Sequence, residues 1–165
     1  CFLSIHWAFQ KENKLPELES LIASVLQQTD VRRPEYVLIA ANLGVIHVQN
    51  GNLERGKEVF DSLFSKDWSR FEYRRDSSYD YEDRVSGGDL NEQYSIAFRK
   101  YYAMAKFNAA CLYSKLREPE TSVSHLKEAV RLEPDQYNKD KILSERDFQP
   151  LNESQTYREF LNSLN

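Results

Sequence analysis

Three histidines, two cysteines, a serine-rich stretch beside a histidine and scattered acidic pairs are the groups from which this chain could build chemistry. His6, His47 and His125 fall in three different helical stretches, and no cysteine or carboxylate accompanies them at metal-ligand spacing. Ser122-Val123-Ser124-His125 places hydroxyls next to an imidazole, the ingredients of an activated nucleophile. The stretch nevertheless reads as part of a repeated helix, with these positions facing solvent. Glu82 and Asp83 are adjacent carboxylates within a charged loop, and Gly87-Gly88 is a bare pair before a helix, without the rest of a phosphate cradle. Nothing gathers an acid, a base and an electrophile. The expectation is a chain without catalysis of its own, without a metal and without a cofactor.

The totals narrow the partners. In 165 residues, 41% hydrophobic and 13% aromatic content suffices for a core, while a net charge of −4 and no clear basic run argue against nucleic acid. No apolar run is long enough to span a membrane. Cys1 and Cys111 are too few for a disulfide framework. A first residue of Cys rather than Met reads as a fragment or processed product. A cut chain is the simpler reading; Cys1 as the lipidated first residue of a bacterial lipoprotein is the alternative. The default location is cytoplasmic.

Elements that must position any site are helical throughout. Apolar residues from Phe2 to Phe9 give a first helix to about Asn13, and Leu18, Leu21, Ile22, Val25 and Leu26 line one face of a second that starts near Pro16. A third helix runs from Pro34 to about Gln49; Gly51 stops it, and a fourth runs from Leu53 to about Phe64. The pattern fails over residues 65–88, a loop rich in charge and tyrosine. A long helix then spans residues 89–116, followed by helices over residues 120–132, 134–144 and 153–164. The resulting division is an N-terminal hairpin (1–30), a repeat (34–64), the loop (65–88), a repeat with a long first helix (89–134) and a terminal segment (135–165).

Two stretches share a pattern. Asn42-Leu43-Gly44 and Asn108-Ala109-Ala110 each set a small residue after an apolar one. Seven residues on, the chain turns, at Gly51 and Arg117; twelve on stands another small residue, Gly56 and Ser122; sixteen on, a large one, Phe60 and Leu126. Pro134 closes the second copy, and Trp68 stands where the first would close. The pattern resembles the tetratricopeptide repeat, a helix–turn–helix unit of about 34 residues. The resemblance implies an all-α stack of three to four antiparallel helix hairpins, an α-solenoid, in which the small residues mark close helix crossings. Gly44 and Ala110 lie 66 residues apart, which suggests a distorted unit between the two copies. Asp147, Phe148, Pro150 and Leu151 before a last helix look like the terminal segment of many bacterial repeat proteins, a cap over the open end of the stack.

The resemblance also implies an interaction module. First helices of such hairpins line a concave face, here Leu38, Ala41, Asn42, Val45 and Gln49 together with Met104, Phe107, Asn108, Cys111 and Lys115. In related repeats an Asn at the position of Asn42 and Asn108 holds the backbone of a bound peptide; equally, both could tie helices together. The face is mostly apolar and neutral and does not present the Lys/Arg pattern that clamps a terminal carboxylate. The expected partner is therefore a peptide or helical segment of apolar or amphipathic character. Tyr73, Arg74, Arg75, Tyr79 and Tyr81 of the loop are a second set of possible contacts, or pack over the distorted unit. Two other functions remain open: a regulatory or sensory segment of a larger enzyme, and a small-molecule or lipid pocket roofed by the loop.

Overall fold

The computed structural model describes residues 9, 11, 14–68 and 88–164, with side chains from residue 93 onward in the last span. The first expected helix, apart from Phe9 and Lys11, lies outside the described residues. So do Cys1, His6 and the loop residues Tyr73, Arg74, Arg75, Tyr79 and Tyr81. Among the described residues the order is α1 (Leu15–Gln28), α2 (Pro34–Gln49), α3 (Leu53–Phe64), α4 (Gly88–Lys115), α5 (Pro119–Leu132), α6 (Lys139–Ser144), a 3-10 helix (Arg146–Leu151) and α7 (Gln155–Ser163), with no strand. The described residues form an all-α, tetratricopeptide-like helical stack.

Proline sets the start of α1, α2 and α5, in the first turn of each, where a missing N–H leaves no bond unmade. Both hairpin turns use one device. Gly51 has φ 79°, and Asn52 N–H donates to His47 O at 2.8 Å while Gly51 N–H donates to Val48 O at 3.1 Å. Arg117 has φ 59°, and Glu118 N–H donates to Tyr113 O at 2.9 Å while Arg117 N–H donates to Ser114 O at 3.0 Å. Every partner in the second turn lies 66 residues beyond its counterpart in the first. The left-handed residue closes the last carbonyls of the helix in both.

The hairpins are held by close approach. A Cβ on Gly44 would stand 2.7 Å from the Phe60 ring, and one on Gly56 would stand 3.2 Å from the Gly44 carbonyl and 2.9 Å from a Val48 methyl. In the other hairpin the same crossing carries a hydrogen bond: Ser122 Oγ donates to the Ala110 carbonyl at 2.7 Å, and both residues are fully buried. Ser122 thus stands at the close crossing that its alignment with Gly56 suggests and not at the solvated position read for the Ser-Val-Ser-His stretch, because its hydroxyl fills the place where the two helices touch.

The two hairpins are direct neighbours. α4 packs on both α2 and α3, and Val37, Ala40, Ala41, Phe60, Leu63, Trp68, Phe98, Ala105, Ala109, Leu112 and Tyr113 make one core. The 28 residues of α4 give it a length of about 42 Å, while residues 69–87, where a distorted unit is expected, lie outside the described residues. Trp68 closes the first hairpin. It is buried, its indole N–H donates to Leu63 O at 3.0 Å, and its ring meets Tyr36, Phe98 and Tyr102. Downstream, the helix expected over residues 134–144 begins at Lys139, because Asn138 caps it by accepting Lys141 N–H at 3.0 Å. Phe148, Leu151, Tyr157 and Phe160 are buried against α4 and α5 in a second core with Phe107 and Leu126. Each fully buried side chain of this size contributes about 1.5–3 kcal/mol.

Two outcomes follow for stability, both read by urea denaturation. Gly44→Val drives a branched side chain into the Phe60 ring and lowers the unfolding free energy by about 2–3 kcal/mol; Phe60→Leu in the same chain recovers part of the loss. Arg117→Gly removes a side chain from a left-handed position and raises stability by up to about 1 kcal/mol. A neutral Gly44→Val or a destabilising Arg117→Gly would contradict the turn and crossing described above.

Candidate binding face

Since α2 and α4 lie side by side, their residues repeat in register. Leu38 and Met104, Asn42 and Asn108, Val45 and Cys111 occupy equivalent positions, and all six are partly buried. Gln49 and Lys115 end the two rows and are exposed. Val45 and Met104 rest on the core below. Asn42 Nδ2 donates to Leu38 O of its own helix at 2.7 Å, whereas the Asn108 side chain makes no hydrogen bond among the described residues. The two amides are thus not equivalent in what they still offer.

Ala41 and Phe107 sit lower. Ala41 is fully buried, and Phe107 is 5% exposed, stacked on Tyr137 at 4.8 Å and edge-on to Phe148 at 5.5 Å. The terminal segment covers that flank of α4. Ser114 Oγ donates to Asp147 O at 2.6 Å, and Lys115 Nζ pairs with the Asp147 carboxylate at 2.5 Å. Burial, with Asp147 and Glu145 nearby, pushes the Cys111 thiol far above its ordinary value, so it stays an inert thiol.

The comparisons with known proteins bear on the second hairpin. The model of a family described as Tetratricopeptide repeat matches residues 103–136. That span is a tetratricopeptide repeat. No curated protein and no solved structure matches the chain. Tetratricopeptide repeats generally mediate protein–protein interaction and are typically non-catalytic. No group of three or more metal-ligating side chains occurs among the described residues, and none of their helices is long and apolar enough to cross a membrane.

The second helix of the tetratricopeptide repeat, α5, meets α3 and α4 in a cluster the sequence did not reveal. Lys106 Nζ stands 3.7 Å from the Phe64 ring centre and 5.2 Å from that of Tyr102. Burial lowers the Lys106 pKa and raises that of Tyr102. His125 stacks on Tyr113 at 5.2 Å and lies 5.0 Å from Phe64, and Tyr113 O–H donates to Asp61 at 2.5 Å. Burial first, and then Lys106, lower His125 to about 4, against the opposing pull of Asp61 and Glu128. These residues come from three helices, so no short motif announces them. His125 is thus partly buried rather than fully solvated as read from the sequence, because α3 lies against it.

The sign of the pH effect follows. An imidazole held at about 4 when folded and 6.5 when unfolded binds fewer protons in the native state between those values. Its contribution is complete above pH 6.5 and is lost as pH falls through about 4. With a discount for the exposed part of the ring, the loss is about 2 kcal/mol. Wild type should lose that much more stability than His125→Gln over the same range, measured by urea titrations at matched ionic strength.

Proposed function

We propose that the chain is a protein–protein interaction module that takes a peptide or helical segment of a partner along the row formed by α2 and α4. Leu38, Asn42, Val45 and Gln49 supply one side, and Met104, Asn108 and Lys115 the other. Phe107 acts beneath the row, as support for the surface. The observation that carries the reading is the register itself. Two adjacent first helices present side chains of similar character at equivalent positions, partly buried and largely apolar, and Asn108 brings an amide with no hydrogen-bond partner among the described residues. Partly exposed apolar side chains in line, interrupted by amides, suit an amphipathic segment: the apolar groups take its buried face, and an amide can both donate to and accept from its backbone.

Peptides selected from a random display library on wild-type protein test this. Their affinities for Met104→Ser and Asn108→Ala should fall about tenfold or more, and for Glu58→Ala, on α3 away from the row, they should not change. Circular dichroism melts establish that each variant is folded. Equal binding to all three would refute the assignment of this face.

A further inference from the structure

Gln49 belongs to two surfaces. It ends the α2 row, and it lines a hollow of about 490 Å3 with Leu15, Pro16, Glu19, Asn50 and Asn52. A single carboxylate stands in that hollow. Glu19, on α1, has a side chain only 19% exposed, and its Oε2 accepts a hydrogen bond from Asn50 Nδ2 at 2.8 Å. Beside it the buried His47 Nδ1 lies 3.4 Å from Oε2 without making a hydrogen bond. Glu19 Oε1 has no hydrogen-bond donor among the described residues. The nearest cation is Arg55, whose Nη1 is 3.8 Å away, beyond hydrogen-bond range, on a side chain 67% exposed.

A partly buried carboxylate whose Oε1 is met only by a loose ion pair to the exposed Arg55 side chain is stabilised further by a cation that can come within hydrogen-bond range. We propose that this hollow receives a lysine or arginine side chain of the bound peptide, with Glu19 as its counter-ion. The proposal rests on the binding face assigned above and names a charge its partner must carry. Arg55 shows that a guanidinium can approach Oε1 from the solvent side. Asn50 holds the carboxylate in one orientation before the ligand arrives, so little side-chain freedom is lost on binding. Leu15 and Pro16 offer an apolar wall for the methylene stem, and the amide oxygen of Asn52 can accept a remaining N–H. A segment running along α2 to Gln49 passes the mouth of the hollow, so one basic residue placed beyond its apolar face would enter it.

The experiment uses N-acetyl-arginine methylamide as probe, titrated into 15N-labelled protein. Saturable shifts are expected at the Asn50 side-chain amide and the Asn52 backbone amide. N-acetyl-citrulline methylamide, isosteric but uncharged, should produce none. Glu19→Gln keeps an oxygen for Asn50 and so preserves the local fold; it should weaken the arginine probe about tenfold or more. Equal shifts from arginine and citrulline, or undiminished arginine binding by Glu19→Gln, would overturn the proposal. The library-selected peptides separate the two readings. If Met104→Ser leaves their binding intact while the arginine shifts persist, the face is wrongly assigned and the hollow stands. If Met104→Ser weakens them and Glu19→Gln does not alter either peptide or probe, the hollow alone is wrongly assigned.

Discussion

The closeness of two helix crossings governs the rest of this molecule. At the first, Gly44 admits the Phe60 ring and Gly56 lies against the Gly44 carbonyl. At the second, Ala110 and Leu126 take the places of Gly44 and Phe60, and Ser122 donates to the Ala110 carbonyl. The same contact is thus met in two ways. The smaller residue accepts the larger ring, and the larger one faces the smaller aliphatic side chain, so each pair fills similar space. Where glycine leaves bare backbone against backbone, serine supplies a hydrogen bond of its own. Both solutions fix the angle and depth at which the second helix meets the first, and thereby which side chains are left to face outward.

That constraint propagates through the stack. Because α4 packs on α2, Ala41 is buried, and because the terminal segment packs on α4, its equivalent Phe107 is buried as well. The flank of each first helix is covered by whatever follows it. At the end of the stack the cover is Phe148 and Leu151, held to α4 by Ser114 and Lys115 through Asp147. An open solenoid end exposes apolar surface that must be closed by a different kind of element, and a 3-10 turn with a short helix does so here.

Much of this was legible in the residues, and the reasons are physical. The bounds of α2 and α3 are set by local signals, proline at one start and glycine with positive φ at a stop, and these act within a few residues. Arg117 shows the limit of residue type: nothing in arginine favours φ 59°, and only its alignment with Gly51 marks it as the turn. The direct contact of the two hairpins was not legible, since a spacing of 66 residues between Gly44 and Ala110 fits an intervening unit as well as an extended α4. Nor was the partial burial of His125, which depends on a helix that approaches from elsewhere in the chain, whereas the crossing at Ser122 was legible from its alignment with Gly56. Lys106, Phe64 and His125 meet only because α3, α4 and α5 do.

The row along α2 and α4 is what remains after these demands are met. Apart from Lys115, which pairs with Asp147, and Cys111, which packs against the second core, its side chains are not tied down by the next element, and being only partly buried they contribute less to stability than the fully buried Phe60 or Leu126. Asn42 and Asn108 show how fine the division is. At equivalent positions, one amide donates to Leu38 of its own helix, while the other makes no hydrogen bond among the described residues. A donor already placed on a helix carbonyl gains little by turning to a partner, since the bond it makes must be broken first. The unpaired amide has no such bond to give up. Two residues that are alike in type and in motif position therefore differ in their bonding, one amide being engaged with a carbonyl of its own helix and the other not.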